Sequence, residues 1–297
     1  EKNMRKVDKT AGVVEAVKNF NFWGDYVDFR PFGNGHINDT YMVRFRFEGK
    51  IRKYILQRIN HHVFKDPVRL MGNISAVTEY LRERVEDPRM ALHFLTTRDG
   101  RYCHQDEEGQ FWRMHDYVGG FCLDMPESDE DFYQSAVGFG RFQQMLKDFP
   151  AETLSETIVN FHNTKDRYRI FRETLAADPC GRAAGVQAEI EFALARAEEA
   201  SILVDQQAAG LLPTRVTHND TKINNILFDA ETGDALAVID LDTVMPGSRL
   251  YDFGDALRTG AATAAEDEED LSLVSFDEAK FEGFTKGYLR AVGNALT

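Results

Sequence analysis

The chain has 297 residues, 43% of them hydrophobic and 28% charged, and its 35 basic and 49 acidic side chains leave a formal charge of −14. That length can bury one large core or two medium ones. The acidic balance, with no basic patch to offset it, argues against nucleic acid and anionic membrane as partners. Three widely spaced cysteines, Cys103, Cys122 and Cys180, argue against a disulfide framework or a zinc site. No apolar run approaches the ~20 residues of a membrane span, and the first residues carry no signal-peptide core. A reducing, cytoplasmic setting is expected. The chain does not begin with Met, which leaves room for a trimmed upstream segment, and nothing in it points to an oligomeric state.

In chain order, residues 11–30 combine an apolar-periodic stretch (Val13, Val14, Val17, Phe20) with aromatics. A glycine-marked segment, Phe32-Gly33-Asn34-Gly35-His36-Ile37-Asn38-Asp39-Thr40, precedes the β-rich Tyr41 to Phe47. Glu48-Gly49-Lys50 reads as a turn and Tyr54 to Ile59 as the next strand, opening an antiparallel sheet. Residues 66–85 carry Leu70, Ile74, Val77 and Leu81 at helical spacing. Residues 92–98 and 111–118 are expected as two further strands, ending at the hinge Tyr117-Val118-Gly119-Gly120. Beyond it the periodicity is helical over 129–147 and again over 186–209. A hairpin then pairs Asn225 to Phe228 with Leu236 to Ile239 through the turn residues 229–234. The densest charge run, Glu266 to Asp270, reads as a solvated loop.

The strongest chemical signal is Thr217-His218-Asn219-Asp220-Thr221-Lys222-Ile223-Asn224-Asn225, followed by the hairpin and then Val238-Ile239-Asp240. Phosphoryl transfer from ATP needs a carboxylate to orient the acceptor hydroxyl and take its proton, and hard oxygen ligands for Mg²⁺. Asp220 fits the first need. Asn225 and Asp240 fit the second, because closing the hairpin makes its two ends neighbours. Lys222 can neutralise charge on the moving phosphoryl group, and His218 is expected to pack under the loop and fix its backbone. Asp252, in the Asp-Phe-Gly string at 252–254, lies too far downstream to be the metal ligand and is expected to accept hydrogen bonds from the loop; Asp242 is a minor rival for the metal.

Upstream, Gly33-Asn34-Gly35-His36 is expected to bring backbone N–H groups close to phosphates. A cation on the third strand should face the phosphates. There Gln57 and Arg58 lie on opposite faces, and the sequence leaves open which one faces the cleft; Glu79 is the candidate acid to pair with it. At the hinge, the Asp116 carbonyl and the Val118 N–H are placed to pair with an adenine ring. The ordering is that of an α+β, protein-kinase-like two-lobed fold. It has a small antiparallel-sheet lobe at 1–117 for the nucleotide and a larger, mainly helical lobe at 118–297 for catalysis and substrate.

These residues resemble the aminoglycoside phosphotransferase and choline kinase-like superfamily across most of the chain. Four strings, Gly35 to Tyr41, Leu56 to Asn60, Asn160-Phe161-His162 and Thr217 to Asn225, look like its N-acetylhexosamine 1-kinase branch. The resemblance implies transfer of phosphate from ATP, with Mg²⁺, to the anomeric hydroxyl of GlcNAc or GalNAc. It implies Asp220 as base, Asn225 and Asp240 as metal ligands, and a small-molecule sugar as partner. The chain departs from the superfamily at the strand lysine, where Gln57 or Arg58 stands. Members of that branch continue past the stretch matching Gly287-Tyr288-Leu289 and place sugar contacts there, so no C-terminal substrate residue is assigned. Two other readings stay open: a kinase of another small alcohol or amine (choline, homoserine, an aminoglycoside), and a nucleotide-binding pseudokinase.

Overall fold

A computed structural model describes residues 9–33 and 37–296. The architecture is α+β and two-lobed. Helix α1 (Lys9–Val17) is followed by strands β1 (Asp25–Pro31), β2 (Asp39–Phe47) and β3 (Lys50–Ile59), then helix α2 (Pro67–Arg82). Strands β4 (His104–Gln105) and β5 (Phe111–Asp116) complete an antiparallel sheet of order β1-β2-β3-β5-β4. Alternation dictates its buried face. Tyr41, Val43 and Phe45 of β2, with Tyr54 and Leu56 of β3, point the same way and pack on Val13, Ala16 and Val17 of α1. At the β2–β3 turn, Glu48 and Gly49 both have positive φ (49° and 76°), which matches the right-handed strand twist.

Asp66 caps α2 by accepting the Arg69 N–H at 3.0 Å, with Pro67 in the first turn, where its missing N–H has no helical partner to lose. The apolar stripe Leu70, Ile74, Val77 and Leu81 is buried in the same core as the helices of the larger lobe. The helix that interrupts the small sheet in sequence, between β3 and β4, therefore packs against both lobes. The expected strand at 92–98 is instead an extended segment with isolated bridges. Leu95 donates to the Met114 carbonyl at 2.8 Å and Asp116 to the His93 carbonyl at 3.0 Å, and β4 pairs with β5 farther along it. A tight turn at Thr97–Arg101 breaks the ladder.

The larger lobe contains α3 (Asp129–Met145), α4 (Thr164–Ala177), α5 (Gln187–Ala195), α6 (Ala197–Ala208), α7 (Arg249–Gly260) and α8 (Glu278–Val292). Between them run β6 (Arg215–Thr217), β7 (Ile226–Phe228), β8 (Ala235–Val238) and β9 (Met245–Gly247). Helix α4 has no fully buried residue. The helix expected over 186–209 is two, broken at Arg196, whose φ of −105° and ψ of 6° leave the helical region.

Helices α3 and α8 form the main packing pair, with Phe132, Phe284 and Tyr288 in the core between them and α7. Gly260, at the end of α7, lies against the Phe132 ring, and a Cβ there would fall well inside van der Waals contact. Phe132 is itself packed on Phe284, with ring centroids 4.7 Å apart, so it has nowhere to move. Gly260→Ala should destabilise the protein by about 1–3 kcal/mol, as overpacked cores do, and a thermal melt reads the shift. An unchanged melting temperature would show that this contact is slack.

Candidate active site

The site is built around the loop that leaves β6. Strand β6 pairs with β9, Val216 opposite Pro246. Directly after β6, the loop backbone is pinned by a buried carboxylate in the first turn of α7. Asp252 accepts the N–H of His218 at 3.0 Å and of Asn219 at 2.8 Å, and also the side-chain amide of Gln143. Its carbonyl takes the Thr221 hydroxyl at 2.6 Å. This is the bracing role expected for Asp252. Loss of water pushes its carboxyl up, against the pull of His218 and these hydrogen bonds. His218 is fully buried. Its Nε2 donates to the Ile239 carbonyl at 2.9 Å, and its Nδ1 accepts the Asp220 N–H at 3.3 Å. The ring thus ties the loop to the second strand of the hairpin. Asn219 takes a positive φ of 68° and donates to the Thr243 carbonyl at 2.8 Å.

Strands β7 and β8 pair Ile226 with Val238, and the Ile239 N–H donates to the Asn225 carbonyl at 2.9 Å. Asn225 therefore faces the exit of the hairpin, where Asp240 sits in the left-handed region with φ 55°. The Asn225 amide nitrogen donates to the Asp220 carbonyl at 2.8 Å and to the Asp220 carboxylate at 3.2 Å. The side chains at 220, 225 and 240 share one neighbourhood.

Asp240 is open to solvent, yet protein crowds its carboxyl. Its carboxyl is pushed up to about 6, first by lost hydration and then by the Asp242 and Asp220 carboxylates; Arg113 and His218 pull it down. Crowded negative charge of this kind favours a cation. Among the described residues no group of three or more His, Cys, Asp or Glu has metal-binding geometry. The amide oxygen of Asn225 and the carboxylate of Asp240 suit Mg²⁺, which takes one or two protein oxygens and completes its shell with water and phosphate.

Lys222 is near enough to Asp220 to feel its charge, but its Nζ is paired with Glu266 at 2.8 Å. Glu266 also pairs with Arg258 at 2.6 Å, and the two cations hold its carboxyl down at about 2. The acidic run expected as a solvated loop thus sends its first residue to Lys222, in the loop after β6.

From the small lobe, Gly33 stands after β1 with φ 75°, while Asn34, Gly35 and His36 lie outside the described residues. Gln57 and Arg58 do face opposite sides of β3. Arg58 is held by Asp39 on the α1 side of the sheet. Gln57 faces the larger lobe and accepts from Arg113 Nε at 2.9 Å. Glu79 is not paired with either; it accepts from the Tyr102 hydroxyl. Asp242 is buried, bonded to the Arg113 guanidinium and, at 2.6 Å, to Asn38 Nδ2. These partners leave it little freedom as a metal ligand. At the hinge, the Asp116 carbonyl meets the His115 ring at 2.9 Å, while the Val118 N–H has no protein partner among the described residues.

Arg113 was not singled out in the sequence, and Asn38, placed there in the loop over the phosphates, instead bonds Asp242. A charged residue at a β5 position facing the other lobe was the available signal for Arg113.

Beside the loop lies a polar pocket of about 170 Å³, walled by Glu156, Asn160, His162, Gln207, Asn219 and Tyr251 among others. His162 Nε2 bonds the Asn219 carbonyl at 3.0 Å, joining this wall to the loop. Asn160 and Asn219, both at positive φ, line it from opposite sides in sequence.

The family model described as "Phosphotransferase enzyme family" matches residues 28–290. Among solved structures, the chain is similar to a microcompartment-associated aminopropanol kinase (18% identity, TM-score 0.61, 95% of this chain and 80% of that one). It is also similar to an aminoglycoside phosphotransferase from Alicyclobacillus acidocaldarius (15% identity, TM-score 0.57, 94% and 80%). A Plasmodium vivax ethanolamine kinase matches with 17% identity, a TM-score of 0.53, and coverage of 93% and 69%. At these identities the likeness is one of fold.

Proposed function

Since the chain belongs to the phosphotransferase enzyme family, we propose that it is an ATP- and Mg²⁺-dependent kinase acting on the anomeric hydroxyl of an N-acetylhexosamine, GlcNAc or GalNAc. The observation that carries the kinase reading is the meeting of Asp220, Asn225 and Asp240 at the mouth of one hairpin. In this reading the acceptor hydroxyl hydrogen-bonds to the Asp220 carboxylate. Its oxygen attacks the γ-phosphorus, the bond to the β–γ bridging oxygen breaks, ADP leaves, and the proton passes late to Asp220. Asn225 aims Asp220 through its amide nitrogen, and its amide oxygen, with the Asp240 carboxylate, would hold the metal. A Mg²⁺ ion held there would neutralise charge on the β- and γ-phosphates. Lys222 lends positive charge close to Asp220. The Val118 N–H, without a partner among the described residues, would serve as hinge donor for an adenine ring, and the loop at Gly33–Asn38 would cover the phosphates.

The sugar reading rests on the four strings that resemble the N-acetylhexosamine 1-kinase branch, and the pocket beside Asn219 supports it. Amides and rings dominate the pocket's polar wall, a set suited to a neutral polyol. Its carboxylate, Glu156, already accepts the Asn160 N–H at 2.9 Å, which makes it a poor sole counter-ion for a cationic acceptor. Incubation with ATP, Mg²⁺ and GlcNAc should yield ADP and a sugar phosphate with a blocked reducing end. A free reducing end would place the phosphate elsewhere on the ring. ADP release with ethanolamine, choline or an aminoglycoside, but with neither hexosamine, would replace the sugar by an amine acceptor.

A further inference from the structure

The small sheet offers a buried cation to the cleft, though not from the expected strand. Arg113 lies on β5, opposite Gln57 of β3, and is 2% exposed. Its Nε donates to Gln57 Oε1 at 2.9 Å, and its guanidinium pairs with Asp242, 129 residues along the chain. Both side chains of that pair are almost wholly buried. Gln57 passes the link to Thr40 Oγ1 at 3.1 Å, and the second oxygen of Asp242 takes Asn38 Nδ2 at 2.6 Å. Asn38 Oδ1 in turn accepts the Asn60 N–H at 2.9 Å. Residues from β2, β3, β5 and the turn after β8 thus form one connected polar network between the lobes.

We propose that Arg113 is a positioning cation between the lobes: from β5 it clamps Asp242 so that Asp240, two residues earlier, is aimed at the metal. A buried ion pair adds little net stability, because desolvation offsets its attraction. What it supplies is geometry. Asp240 holds a left-handed backbone conformation, φ 55°, that a side chain with a Cβ adopts at a cost. An anchor two residues on, fixed from the opposite lobe, holds that conformation. The guanidinium also acts on the Asp240 carboxylate through space. Groups that support a metal ligand in this way typically change metal affinity by about 10- to 100-fold when removed.

This inference rests on the reading of Asn225 and Asp240 as the metal pair, and calorimetry with a non-hydrolysable ATP analogue tests the two separately. The wild-type protein should bind the analogue more tightly with Mg²⁺ than with EDTA. Arg113→Lys keeps the charge but loses the fork that reaches both Gln57 and Asp242. The double variant Arg113→Met with Asp242→Asn removes both charges, so folding does not have to tolerate a lone buried carboxylate. In both variants, affinity with Mg²⁺ should fall by about tenfold or more, while affinity in EDTA should change little. The KM for Mg-ATP should rise and the KM for the acceptor should not. Equal losses with and without Mg²⁺ would put Arg113 on the nucleotide itself and overturn the proposal. Folded variants that retain wild-type Mg²⁺ dependence would reduce the network to a structural strut. A wild-type protein whose analogue binding ignores Mg²⁺ would remove the metal pair, and this inference with it.

Discussion

Asp220→Asn should bind ATP as the wild-type protein does and turn over roughly a thousandfold more slowly, or worse. The substitution keeps the shape of the side chain and an oxygen to accept the Asn225 amide, now 3.2 Å from the carboxylate. The loop brace is untouched, because Asp252 bonds the backbone of His218 and Asn219 rather than Asp220. What disappears is the charge that orients the acceptor hydroxyl and receives its proton, a contribution of about 10²–10⁴ for a general base. Positioning of the phosphates, which carries much of the catalysis in phosphoryl transfer, stays in place. Calorimetry should therefore give an unchanged nucleotide affinity, and coupled ADP release should give the fall in kcat. A variant that retains most of its turnover would show that another group holds the acceptor.

Asp252→Ala should unfold the catalytic loop before it changes any chemistry. Asp252 is 2% exposed, and its two carboxylate oxygens serve the N–H groups of His218 and Asn219 and the Gln143 amide. Alanine leaves those donors buried and unpaired, at about 1–3 kcal/mol each. Loss of the buried charge, itself costly to desolvate, returns part of that sum. A net destabilisation of about 3 kcal/mol is expected, seen as a lower denaturation midpoint, with activity lost in proportion to the disordered loop. Asp252→Asn should fare little better. Its amide nitrogen would face a backbone N–H, donor against donor. A melt indistinguishable from wild type for both variants would mean that the loop is held by its other contacts.

Local order along the chain made much of this molecule readable in advance. The β2–β3 hairpin, α2, α3 and the β7–β8 hairpin each advertise themselves through alternation, a helical stripe or turn residues within a short window. The segment at 92–98 loses its strand character to a turn a few residues on. The small sheet and the larger helical lobe follow from patterning alone, but the burial of α2 in the larger lobe's core does not.

The sequence by itself determined that Asn225 and Asp240 lie side by side. A short hairpin must return to its starting point, so residues at its two ends are neighbours whatever surrounds them. Only the tertiary structure decided which charges answer one another across the cleft. Arg113 meets Asp242, Lys222 meets Glu266, Arg58 turns to Asp39, and Glu79 is left to Tyr102. A buried charge takes whichever partner the packing of distant elements brings within reach in a low dielectric. That choice depends on how the lobes seat against each other, and no spacing within a strand or helix encodes it.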